Sequence, residues 1–198
     1  LKAYTPQNSH VVGRGNPIMG GTVAQYKLSE LKQLANSLAT LDGELWKLWY
    51  TAIPTPEGVD AEIQRRLGLH AAHSMLPFAV LDASGTPVGM TTYMNIDNAN
   101  QRVEIGSTWY AVGAQRGPLN TECKLLLLGH AFEALDCIAV EFRTSFFNQQ
   151  SRAAIARLGA KQDGVLRNHS ISPNGTLRDT VVFSIIASEW PTVKAHLR

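Results

Sequence analysis

Apolar positions along the chain change their period several times, and each change marks a change of element. Residues 22–28 alternate as in a strand. From Ser29 onward Leu31, Leu34, Ala35 and Leu38 recur at three and four residues, which predicts a helix opened by the serine. Residues 56–73 predict a second helix, with Pro56 in its first turn and Ile63, Leu67 and Ala71 on one face. Between them lies Leu45-Trp46-Lys47-Leu48-Trp49-Tyr50, whose aromatics suit either core packing or the wall of a substrate pocket.

Three strands follow, over 76–82, 87–96 and 102–111. The turns Ser84-Gly85 and Asp97-Asn98-Ala99-Asn100 join them as an antiparallel meander. The period then changes to give a helix over 120–135, a strand over 138–144, a helix over 148–158, and two last strands around Val165 and over 181–186. A run of strands followed by alternating strands and helices predicts an α/β chain: one mixed sheet, seven strands by this reading, with helices on its faces. Residues 1–21, rich in Gly, Pro, Asn and Ser and without periodicity, read as a flexible arm ahead of a single domain over 22–198.

Composition adds limits. With 198 residues, 44% hydrophobic and 17% charged, the chain can bury one substantial core. A net charge of +2 without clustered Lys and Arg argues against a nucleic-acid partner, so any anion site must be local. No apolar run is long enough for a signal peptide or a membrane span, and a cytoplasmic location is expected. Cys123 and Cys137 sit in apolar surroundings and read as small buried hydrophobes, with no metal site. Gly13-Arg14-Gly15 hints at a dinucleotide fingerprint, but its third glycine is missing and Pro17 interrupts the required helix.

The strand ending near Ala111, the link 112–119 and the helix from Asn120 form a strand–loop–helix unit. Such a unit aims free backbone N–H groups and the positive end of a helix dipole at one point, which suits a pyrophosphate. Arg116 adds charge there and Gly117 admits a close approach. Further on, Asn148 is placed to cap a helix, and Ser151 puts a hydroxyl in its first turn.

Gln115-Arg116-Gly117-Pro118-Leu119-Asn120-Thr121-Glu122 resembles the pyrophosphate-binding motif of GNAT acyltransferases, in the branch of ribosomal-protein N-terminal acetyltransferases. Phe147-Asn148-Gln149-Gln150-Ser151 with Leu158-Gly159-Ala160 and Asp163-Gly164-Val165-Leu166-Arg167 is similar to a second signature of that branch, and the likeness covers about 77–190. The resemblance implies a GNAT-like acyl-CoA N-acyltransferase fold and transfer of an acetyl group from acetyl-CoA to a primary amine. It implies a coenzyme site at Arg116, Gly117, Leu119, Asn120 and Thr121, with Asn148 on the pantetheine arm and Ser151 near the sulfur. Backbone N–H groups of Trp109, Tyr110 and Ala111 would meet the oxyanion, where two strands splay apart. Two departures stand out: Pro118 replaces a glycine of the motif and offers no N–H, and Ser170 stands where the branch carries a glutamate.

Three residues are candidates for the acid–base work. Glu104 matches a strand glutamate of many GNAT enzymes, and plain alternation would put it on one face with Gly106, Thr108 and Tyr110, where burial would raise its pKa. His169 offers an imidazole for acid–base work but borders the turn at Pro173-Asn174-Gly175; Asp179 could orient it or pair with Arg178 or Arg167, and reads as structural. Ser151 could return a proton to a leaving thiolate. His70, His73 and His130 read as surface or capping groups. The alternatives are a module that binds acyl-CoA with little catalysis, or a transferase of another acyl group such as succinyl. Apolar strands with an exposed edge also admit a homodimer.

Overall fold

The computed structural model describes residues 47–51 and 53–198, with two short strand pieces at 13–14 and 22–24. The predicted helix over 29–38, Trp46, and most of the arm lie outside the described residues.

The strands are β1 (Gly13–Arg14), β2 (Thr22–Ala24), β3 (Met75–Leu81), β4 (Pro87–Asp97), β5 (Arg102–Tyr110), β6 (Ala139–Ser145), β7 (Lys161–Ile171) and β8 (Leu177–Ile186). They form one sheet in the order β1-β2-β3-β4-β5-β6-β8-β7. Only the β5–β6 pair is parallel. The α-helices are α1 (Val59–Ala71), α2 (Leu119–Gly129), α3 (Gln149–Arg157) and α4 (Trp190–Leu197). The sheet is therefore mixed, as its pattern predicts. Six strands are long, however, rather than seven, because β2 pairs with β3 over only Thr22–Ala24. Helix α4 goes beyond the predicted elements. Trp190 and Val193 anchor it in the core, and a proline sits in its first turn.

Strand alternation sorts the side chains into two faces. On one, Val103 and Ile105 of β5, Val140 and Phe142 of β6, and Val181, Phe183 and Ile185 of β8 pack against Leu127 and Leu128 of α2, Leu158 beyond α3, and Trp190 of α4. The buried Tyr93 hydroxyl donates to the Leu127 carbonyl and ties this helix to the sheet. Both cysteines are buried and unpaired. On the other face α1 sets Ile63 and Leu67 against Ala79, Met90, Trp109 and Ala111, whereas its Ala71 is exposed. Beyond α1 this second face turns polar, with Glu104, Ser145, Thr180 and Ser184 buried in it.

The β4–β5 register slips between Thr92↔Gly106 and Met90↔Trp109, so β5 carries one extra residue, and Ser107 takes a left-handed φ of 48°. This bulge overturns plain alternation. Glu104 and Gly106 stay on the polar face, Thr108 and Tyr110 turn to the α2 face, and Trp109 joins α1 instead.

Candidate functional site

Strands β5 and β6 pair only from Arg102↔Ala139 to Glu104↔Glu141, yet β5 runs on to Tyr110 and β6 to Ser145. Beyond Glu104 the two part, and the bulge at Ser107 bends β5 at that place. The Ala111 N–H donates to the Val88 carbonyl at 2.9 Å, so it faces β4 and is no donor to the opening. Peptide groups alternate along a strand, which turns those of Tyr110 toward the opening. The Tyr110 carbonyl is taken by Gln115 Nε2 at 2.9 Å, leaving the Tyr110 N–H as the donor there. Trp109 contributes something else: its indole N–H is buried without a hydrogen-bond partner among the described residues.

The link after β5 leads into α2. Arg116 is exposed with φ of 61°, a conformation that costs a non-glycine residue free energy and turns successive N–H groups toward one side. Pro118 is the N-cap of α2 and offers no side-chain acceptor, and the helix's first bond runs from Glu122 N–H to the Pro118 carbonyl. The N–H groups of Leu119, Asn120 and Thr121 therefore remain uncapped at the positive end of the helix. The proline that removes one donor leaves the next three unclaimed. A Cβ built at Gly117 meets no atom within 4 Å, so the backbone there is open to a close approach. Leu119 places its side chain in the core and can offer only its backbone. This set fits a pyrophosphate.

Across the opening, Asn148 Oδ1 accepts the Ser151 N–H at 3.0 Å, so Asn148 caps α3 and keeps its amide NH2 for another partner. The half-buried Ser151 hydroxyl makes no hydrogen bond among the described residues. Phe147 is exposed and packs on Trp49, whose ring centroid lies 5.4 Å away. The described part of the aromatic segment therefore lies at the surface beside α3 rather than in the core.

Glu104 occupies the last paired rung of β5 and is 5% exposed. Asn95 Nδ2 donates to its Oε2 at 2.7 Å, and Arg143 Nε lies 3.7 Å from the same oxygen. A Cβ at position 106 would come within 3.0 Å of its Oε1, so Gly106 leaves the carboxylate room. Burial raises the Glu104 pKa above the ordinary 4.5, while Asn95 and Arg143 pull the other way. His169 lies in β7 rather than in a loop. It is exposed, with Nδ1 3.1 Å from Thr180 Oγ1. Asp179 accepts from Arg167 and from the Asn168 N–H, which is a structural role. His130 is the C-cap of α2, as a capping role implies, and its half-buried ring stacks on Tyr93.

Two residues escape sequence reasoning. Lys124 of α2 is 5% exposed, and its Nζ donates to Thr91 and Thr108, each at 2.8 Å. Burial pulls its amine down to about 7. Thr108 directly follows the bulge residue, so Lys124 fastens the middle of α2 to the bent segment of β5. The second residue is Arg178, half-buried on the polar face, where its Nε donates to Thr180 Oγ1 at 3.3 Å. A lysine at an inward position of α2's period is the signal that could have found the first. The second shows only once the strand register is known.

Solved structures share this fold. A GCN5-related N-acetyltransferase from Brucella melitensis superposes with a TM-score of 0.81 at 28% identity, covering 98% of this chain and 88% of its own. RimJ of Mycobacterium smegmatis, solved in complex with CoA-disulfide, has the same fold with a TM-score of 0.75 at 21% identity, covering 95% of each chain. The Bacillus subtilis (strain 168) protein YdaF, provisionally named a ribosomal N-acetyltransferase, is 32% identical over 107 residues; the match covers 54% of this chain and 57% of YdaF. Residues 23–161 match the acetyltransferase (GNAT) domain, and the chain belongs to that family.

Proposed function

We propose that the protein is an N-acetyltransferase that moves an acetyl group from acetyl-CoA to a primary amine by direct attack, with both substrates bound together. The observation that carries this reading is the end of the β5–β6 ladder at Glu104. It opens the sheet between an uncapped helix N-terminus and a buried carboxylate. Acetyl-CoA supplies an activated acyl carbonyl and a thiolate leaving group. The N–H groups of Leu119, Asn120 and Thr121 hold the diphosphate with Arg116, and the free amide of Asn148 holds the pantetheine arm. Glu104 accepts the ammonium proton of the acceptor, a task that its raised pKa favours. The Tyr110 N–H faces the charge that develops on the carbonyl oxygen, and Ser151 can return a proton to the departing sulfur. The name of YdaF, a ribosomal N-acetyltransferase, makes ribosomal protein one acceptor to try first.

Isothermal titration with acetyl-CoA tests the coenzyme half of this reading. Micromolar binding that falls at least about tenfold in an Arg116→Ala, Asn148→Ala double variant is the expected result. No binding to the unmodified protein would overturn it.

A further inference from the structure

Around Glu104 the polar face carries three arginines, Arg102, Arg143 and Arg178, beside the carboxylates of Glu104 and Glu141. Glu141 pairs with Arg102 at 3.3 Å and with Arg143, and Arg143 also reaches Glu104. Those two arginines thus serve both carboxylates. Arg178 is left with only the Thr180 hydroxyl and makes no ion pair among the described residues. Directly across the β7–β8 ladder from it stands Ser170, which carries no charge to offer. Yet Arg178 is half-buried. Burial lowers its pKa and the Glu104 charge raises it again, so the two groups sense each other from beyond ion-pair range. A partly desolvated guanidinium without a carboxylate costs free energy that a bound anion would recover, and its planar fork suits a carboxylate.

Resting on the reading of this face as the acceptor site, we propose that the acceptor carries a carboxylate close to its amine and that Arg178 binds it, holding the amine toward Glu104. A free amino acid and a peptide with an acidic residue at its N-terminus both present this chemistry. Thr180 keeps the guanidinium in place, and the exposed His169, on the same hydroxyl, borders the subsite.

The test is equilibrium binding to CoA-saturated protein of matched ligands that differ only in this group. Free amino acids are compared with their carboxamides, and peptides beginning with Asp or Glu with those beginning with Asn or Gln. In the unmodified protein the acid of at least one series should bind about tenfold or more tighter than its amide. Which series discriminates identifies the source. Arg178→Met should abolish the difference, Arg178→Lys should keep part of it, and both variants should bind CoA unchanged. Acids and amides that bind alike, no binding of either, or full discrimination by Arg178→Met would overturn the inference while CoA still binds. Loss of CoA binding by the unmodified protein would strike the proposed function itself.

Discussion

On one face of β5, Val103, Ile105 and Tyr110 meet α2 and share a core with α4; on the other, one residue along, Glu104 sits among Asn95, Arg143 and the more distant Arg178. The first face buries apolar area and leaves few polar groups to satisfy. The second buries a carboxylate beside cations at the place where the ladder ends. Stability and chemistry are thus carried by opposite sides of a single strand, and substitutions should separate them.

The largest separation should come from Glu104→Gln. It keeps the hydrogen-bonding shape beside Asn95 but removes the base, so kcat should fall about 10²–10⁴-fold while acetyl-CoA affinity holds. Steady-state kinetics with calorimetry reads both. On the opposite face, Phe142→Ala should cost about 3–5 kcal/mol of stability, seen in denaturant unfolding, and leave the KM of the folded fraction unchanged.

Lys124 crosses the division, since it lies on the core side yet is polar. Its amine titrates near 7 in the fold against 10.5 in the unfolded chain. Below about 7 both states are charged and the full burial cost applies. Between 7 and 10.5 only the unfolded state holds the extra proton, so stability rises with pH across that window. Lys124→Met leaves Thr91 and Thr108 bonded to each other at 2.9 Å. It should raise Tm by about 4 °C near pH 7, and calorimetry should show that gain shrinking toward pH 10.5. The smallest effect is expected at Asn148. Asn148→Ala should lose about 1 kcal/mol with the cap and weaken acetyl-CoA binding. Asn148→Asp should restore the stability but not the binding, because its side chain has no N–H to donate.

The meander, the helix starting near Asn120 and the Asn148 cap were legible because turn residues, apolar period and capping chemistry act over a few positions. The bulge was not. Gly106-Ser107-Thr108 carries no mark that Ser107 will take a positive φ, and one extra residue reverses the facing of everything after it. Plain alternation therefore grouped Glu104 with Tyr110 and left Trp109 on the wrong side. The partnership of Ala111 with Val88 and the placing of Arg178 opposite the uncharged Ser170 depend on strand pairing, which no local pattern encodes.

The pH dependence of kcat for the unmodified protein and Glu104→Gln, with one acceptor, tests the role of Glu104 most directly. The unmodified enzyme should show an ascending limb governed by a group above 4.5, and the variant should lose that limb while the limb of the acceptor's own amine stays. Superimposable profiles, with kcat undiminished, would contradict the assignment of Glu104 as the base.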